Sequence, residues 1–355
     1  MKIKQTNSDG TEKYILLGKD KRNAERLAKG EMYACPSCGD PLEFDAEMCE
    51  NCGAFIDKET RQLRTQVSDA ELQKNINDSK ARFNKAKAVM VTGGILLALS
   101  VFFSGNLIFI LISAAVLIVG IYGTSAEMAL VKRQLNRAVI PQILSEYFED
   151  VVYNPEGTVP LDQVSEAFWG EYNRHMGSDY IKCRYHGIDI EVSDLTLEKV
   201  TYRTVTDEKG NTKQEEEVET LLHGQWMIFD FHKQLSANVR LLANTKKRKD
   251  GIETENMAFN NKFRISSSSP HDAFYVLTPH MMEHILQVTA NAGGNVDFMF
   301  MMDGKLHLAM HTHTNHFETG DLKNTSLDAL RDKFRGEIDF ILSVVNELKD
   351  ELLSL

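Results

Sequence analysis

The sequence predicts an α+β soluble domain joined to a two-helix transmembrane hairpin and a small four-cysteine zinc ribbon. Three observations predict this. No charged residue occurs from Ala88 to Ala126. Four of the five cysteines fall within residues 35–52. Beyond residue 155, strand-like runs and helical stretches alternate with turn signals.

The 355-residue chain has room for two or three domains. Its net charge of −11 gives no basic field for nucleic acid. The first thirty residues are polar and mixed in charge, unlike a secretory signal. The predicted organisation is an N-terminal segment (1–30), a zinc ribbon (31–57), a juxtamembrane helix (58–87), a transmembrane hairpin (88–123), a second juxtamembrane helix (124–152) and an α+β domain (153–355). Within 1–30 the run Tyr14–Leu17 suggests a weak strand and a helical turn.

The uncharged stretch covers 39 positions, 88 through 126. As one helix it would reach about 58 Å, whereas a hydrocarbon core is ~30 Å thick and needs ~20 residues. Two crossings fit, with Ser104-Gly105-Asn106 as the turn. The predicted spans are Ala88–Phe103 and Leu107–Gly123. Small residues at Gly93, Gly94, Ala98, Ala114 and Ala115 would let the helices approach closely. Lys80, Arg82, Lys85 and Lys87 precede the pair, and Lys132, Arg133 and Arg137 follow it. This bias places both flanks, and so both termini, in the cytoplasm.

Cys35-Pro-Ser-Cys38-Gly39 and Cys49-Glu-Asn-Cys52-Gly53 are matched knuckles with ten residues between them. CxxC turns two sulfurs toward one point, and the following Gly accepts the positive φ of the tight turn. Two knuckles complete a tetrahedral four-sulfur shell, the geometry of structural zinc. The expected cofactor is one structural zinc per chain, held by Cys35, Cys38, Cys49 and Cys52. A closed shell leaves no position for substrate, and the metal would supply the module's folding free energy. The loop between the pairs carries Asp40, Glu43, Asp45 and Glu47, which disfavours phosphate contact. No nucleic-acid partner is expected.

His280-Met-Met-Glu283-His284 matches the inverted zincin pattern HxxEH. On a helix the two histidines would share a face, with Glu283 available as a base. His307, His311, His313 and His316 cluster later, and on a strand the first three would point the same way. A zinc hydrolase could be drawn from these groups. The competing expectation is a surface helix and a polar strand end. Cys183 stands outside any motif and reads as a buried, inert thiol. No P-loop, nucleophile elbow or dinucleotide fingerprint occurs.

In the C-terminal part, strands are predicted at Tyr180–Tyr185, Ile188–Val192, Glu219–Phe231, Val239–Ala243, Phe263–Ser266, Val296–Met302 and Leu306–Met310. Helices are predicted at Pro160–His175, Pro279–Ala292 and Ser326–Leu353. Helix also continues past the hairpin to about Val152, with Pro141 kinking or restarting it. Arg203–Glu219 and Lys246–Asp250 read as solvated hairpin tips, although Lys246-Lys-Arg-Lys249 could touch anionic headgroups. Thr278-Pro279 reads as an N-cap followed by Pro at the first helical position.

Several phrases occur in order: Leu222-His-Gly224-Gln-Trp-Met-Ile-Phe-Asp230-Phe231-His-Lys233, Phe263-Arg-Ile265, Leu277-Thr278-Pro279 with Met282-Glu283, Asp303-Gly304-Lys-Leu306 and Phe317-Glu318. This order resembles the bacterial membrane-associated family DUF3137, over roughly residues 140–353. The resemblance implies two spans followed by a soluble domain, in the inner membrane of a bacterial cell. It implies no activity, substrate or catalytic residue. The expected role is a membrane-anchored cytoplasmic scaffold or interaction protein, with the lipid bilayer and an unidentified protein as partners. The alternatives are the zinc hydrolase and a nucleic-acid-binding ribbon.

Overall fold

A computed structural model describes residues 2–6, 12–16, 19–36, 39–49, 54–62, 64, 67–104, 107–206, 212–243, 251–314, 316–317 and 326–354. The chain divides into two compact units, residues 1–142 with 319–327 and residues 143–318 with 328–355.

The first unit opens with an antiparallel hairpin, β1 (Lys2–Thr6) and β2 (Glu12–Leu16), followed by helix α1 (Lys19–Ala28). This is more regular structure than the single short apolar run suggested. Strands β3 (Tyr33–Ala34) and β4 (Pro41–Leu42) follow as a two-stranded ribbon. Helix α2 (Asp69–Leu99) starts eleven residues later than the expected juxtamembrane helix at 58. The cause is local. Asp57 takes the N–H groups of Glu59 and Thr60 and holds a turn. Ser68 and Glu71 then close a capping box that nucleates the helix at residue 69.

A π-helical turn, Ser100–Ser104, continues α2, and helix α3 (Leu107–Leu144) follows. Helix α3 ends at Leu144, short of the expected 152, and Pro141 lies inside it without ending it. The two helices run antiparallel in close contact. A Cβ on Gly93 would sit 2.8 Å from the Leu117 Cα, and one on Gly120 would sit 2.5 Å from the Met90 Cα. Ser100 and Ser113 hydrogen-bond across the pair at 2.9 Å. Of the small residues singled out in the sequence, Gly93 makes the crossing; Gly120 and Ser113 supply the rest. The outer faces are exposed, including Ile95, Phe102, Leu107, Leu111, Val119 and Tyr122. Both helices are long and apolar enough to cross a membrane.

The second unit is built on an eight-stranded antiparallel sheet. Its elements are β5 (Glu149–Asn154), α4 (Leu161–Ala167), β6 (Arg174–Tyr185), β7 (Ile188–Thr206), β8 (Thr212–Asp230), β9 (Val239–Ala243), α5 (Met257–Lys262), β10 (Phe263–Ser267), α6 (Pro270–Val276), α7 (Pro279–Asn291), β11 (Asn295–Phe300), β12 (Lys305–His311) and α8 (Leu327–Ser354). The strand order is β10-β9-β11-β12-β8-β7-β6-β5. Each predicted strand is present, and an antiparallel sheet with segregated helices is the expected α+β class.

Three expectations are corrected. Residues 149–154 are strand, not helix. The helix expected over Pro160–His175 covers only Leu161–Ala167, because Phe168 leaves in an extended conformation and Arg174 already opens β6. Within Arg203–Glu219, read as a solvated hairpin tip, the described residues are exposed but belong to strands: β7 and β8 stay paired from Lys199↔Glu219 to Thr206↔Thr212. Opposed pairs such as Arg203↔Glu215 make this polar stretch compatible with a ladder. Lys246–Asp250 lies outside the described residues.

One face of the sheet buries Leu195, Leu197, Trp226, Ile228, Met299 and Ala309 under Val164, Ala167 and Phe168 of the α4 segment. On the other face Phe298 packs edge-on to Phe263, which packs on Phe259 of α5. Leu352 of α8 lies beside Phe231, Phe300 and Leu306 on that same side. Both faces are therefore covered, which explains why β11 and β12 read as continuous apolar runs instead of alternating ones.

Candidate functional site

In the ribbon, Cys35 and Cys49 are both buried and share one small cluster with Leu42, Ala54 and Ile56. The two knuckles are built alike. The Cys35 N–H donates to the Asp40 carbonyl at 2.8 Å, and the Cys49 N–H to the Ala54 carbonyl at 2.9 Å, each five residues on. Gly39 takes the expected positive φ of 75° and donates back to the Cys35 carbonyl. Tyr33 lies close enough for both sulfurs to matter. Burial, then the Cys35 charge, push its hydroxyl pKa up, with a smaller push from Cys49, against a lowering by Arg61. Cys38 and Cys52 lie outside the described residues. The described pair fits a metal centre: one cysteine from each knuckle is buried in the same small cluster, in a module with little apolar core of its own. The acidic loop is partly neutralised from within the unit. Arg26 pairs with Glu43 and Lys58 with Glu47, so these carboxyls are held below their usual range.

The histidines separate into two places. His280 and His284 stand one turn apart on α7, with near-parallel rings 5.9 Å between centroids. Thr278 caps the helix by accepting from the Met281 N–H, as expected. The carboxylates facing these rings belong to α8. Glu347 meets His284 Nδ1 at 2.7 Å, and Glu351 lies in the same cluster. Glu283 is exposed and outside it, so the residue that joins the histidines is not the one the HxxEH pattern names.

The later histidines go elsewhere. His307 is buried inside the sheet, and its Nδ1 accepts from the Trp226 indole N–H at 3.2 Å. Burial pulls its pKa down to about 4, which keeps the ring neutral. His311 meets Asp297, and His313 packs edge-on to His223. His316 bonds Thr312 and faces Glu337. Glu337 and Glu347 are ten residues apart on α8, about 15 Å along its axis, so the two histidine groups do not converge.

Around His316 the sheet holds a buried acid that the sequence gave no reason to single out. Asp194 accepts the His316 N–H at 2.8 Å through one oxygen, while its other oxygen has no hydrogen-bond partner among the described residues. Gln225, opposite it in the ladder, has a side-chain nitrogen with no hydrogen-bond partner among the described residues. Burial pushes the Asp194 pKa up to about 7. For His316, burial lowers the pKa, but the Glu337 hydrogen bond and charge and the Asp194 charge outweigh it and leave it raised. Cys183 is buried, as expected, and burial pushes its thiol up to about 12, far from a reactive thiolate.

The shared phrases of the C-terminal part have structural work. A side chain at Gly224 would overlap the Met310 carbonyl oxygen on the neighbouring strand. Asp230 accepts the His232 N–H, fixing His232 at a positive φ of 56°. The Gly304 carbonyl accepts the Phe231 N–H, and a Cβ on Gly304 would sit 2.7 Å from the Lys233 nitrogen. The Asp230–Lys233 and Asp303–Gly304 phrases are thus two turns packed backbone to backbone.

No curated protein matches the chain. Among solved structures, the crystal structure of the mycobacterial trehalose monomycolate transport factor A, TtfA, is similar at 10% identity and a TM-score of 0.34. The match covers 61% of this chain and 96% of that one, and is too distant to carry a functional argument. Two family models match: a zinc-ribbon domain at residues 31–56, and the protein of unknown function DUF3137 at residues 220–350. The DUF3137 match thus spans the chain from within β8 to within α8, and the zinc-ribbon match spans the module that holds Cys35 and Cys49.

Proposed function

We propose that this chain is a scaffold or interaction protein anchored in a cell membrane by the α2–α3 hairpin, with its soluble parts in the cytoplasm. The observation that carries the reading is the pair of close-packed helices whose outer faces expose large apolar side chains over their whole uncharged length. In water that surface exceeds what a monomer tolerates; in lipid it needs no further cover. Lys80, Arg82, Lys85 and Lys87 on one side, and Lys132, Arg133 and Arg137 on the other, support both flanks being cytoplasmic. The ribbon then holds one structural zinc through Cys35, Cys38, Cys49 and Cys52, and presents a folded protein-contact surface to a partner.

Fractionation of cells expressing the full chain tests the anchor. It should stay with membranes through alkaline carbonate and leave only in detergent. Recovery of intact chain in the soluble fraction would defeat the reading. Reporter fusions at either end should both be cytoplasmic. Pull-down from detergent extracts should return a specific protein, and loss of that protein on Cys49→Ser would place the contact on the ribbon.

A further inference from the structure

We propose that α7 and α8 form a second metal site, independent of the ribbon, in which His280, His284 and Glu351 take a divalent transition ion. One ring nitrogen from each histidine and one carboxylate oxygen of Glu351 lie within 4.8 Å of one another. Around a tetrahedral ion with bonds of ~2.1 Å the donors would stand about 3.4 Å apart. The remaining closure is small, and His280 is exposed at the start of α7.

Glu347 supplies an independent observation. One of its oxygens meets His284 Nδ1 at 2.7 Å and the other accepts from Gln287 Nε2 at 3.1 Å. A carboxylate on Nδ1 fixes the proton there and leaves the Nε2 lone pair available. That is how metal-ligating histidines are oriented. The donor set of two imidazoles and one carboxylate suits zinc, cobalt or nickel. Calcium and magnesium need more oxygens than the cluster offers. Three protein donors leave a position open, and the exposed side of His280 puts that position toward solvent. The ion would tie the first turn of α7 to the last turns of α8, so binding stabilises this unit.

The test uses the full chain in detergent, stripped by chelator and dialysed against excess zinc, with bound metal measured per chain. His280→Ala and Glu351→Gln should each bind one zinc fewer than the parent chain. The parent and both variants should have equal melting temperatures in chelator, which shows that the variants fold. Zinc affinity at this site should fall about 10–100-fold in Glu347→Gln. With cobalt as probe, the thiolate charge-transfer bands of the ribbon should be the same in parent and variants, which assigns the missing ion to α7 and α8. Equal zinc content in the parent and in His280→Ala overturns the proposal, whether or not the ribbon is loaded.

Discussion

A methyl group at Gly120 should separate the two apolar helices. Its Cβ would fall 2.5 Å from the Met90 Cα and 2.8 Å from the Met90 nitrogen. Carbon–carbon contacts are comfortable at ~3.5–4.0 Å. Both clashing atoms are backbone, so no rotamer change relieves them, and the helices must part by about 1 Å. That shift also stretches the 2.9 Å Ser100–Ser113 bond. Overpacking of this kind costs ~1–3 kcal/mol and an interhelical hydrogen bond is worth ~0.6 kcal/mol. Alanine recovers up to ~1 kcal/mol of helix propensity over glycine. The net expectation for Gly120→Ala is a loss of ~1–3 kcal/mol. Gly123→Ala is the matched control. It lies three residues on in the same helix, nothing among the described residues stands within 4 Å of its Cβ, and only the propensity gain remains. Helix loss followed by far-ultraviolet circular dichroism, as denaturing detergent is titrated into the full chain, reads the difference. Equal midpoints for the two variants would refute the backbone contact on which the hairpin rests.

Two buried groups should oppose each other across acidic pH. His307 titrates near 4 in the fold, against 6.5 when exposed, so its contribution is lost as pH falls from about 6.5 to 4, by about 3 kcal/mol. Asp194 titrates near 7 against 3.8, so its burden grows as pH rises from about 4 to 7, by about 4 kcal/mol. Their slopes have opposite signs, and urea unfolding of the parent chain should change little between pH 4.5 and 6. Asp194→Asn should leave the His307 slope alone, so stability then climbs with pH; a flat profile in the variant would show that His307 is not buried as described, and a parent profile that already climbs would show the same of the acid. Trp226→Phe removes the donor to His307 and should cost about 1–3 kcal/mol in the urea midpoint, whereas an unchanged midpoint would rule the bond out. Chelation, or Cys35→Ser, should open residues 31–56 to protease while the DUF3137 domain stays resistant. Cleavage of both together would mean that the ribbon is not an independently metal-folded module.

What could be read from the sequence depended on whether a signal was local. Thr278-Pro279 announces α7 because the cap and the proline act within one turn, and the structure places them as expected. Ser269-Pro270 carries the same signal for α6, but that helix is only seven residues long, too short for an apolar periodicity to accompany the cap. The extension of β7 and β8 could not be read from hydropathy. Glu215, Glu216 and Glu217 look like loop, and are strand only because Arg203, Tyr202 and Thr201 lie opposite them. The CxxC spacing reported a pair of knuckles directly, since each turn is made by residues four apart, and the matching hydrogen bonds of Cys35 and Cys49 are its outcome.

The histidines mark where local reading stops. HxxEH encodes correctly that His280 and His284 share a helix face, because a four-residue step is one turn. It names Glu283 as their partner only because Glu283 is near in sequence. The carboxylates that meet the rings, Glu347 and Glu351, come more than sixty residues later, on α8. They too are four apart, so each helix presents two polar side chains at the same pitch. Either pair alone is unremarkable on an exposed helix. Only the approach of α7 to α8 turns two ordinary surface spacings into one cluster, and the positions flanking the two pairs, Met281, Ile285 and Val288 on α7 and Val344, Leu348 and Leu352 on α8, are buried. The site was therefore written in the sequence as four residues in two places, and the information that joined them lay in the core.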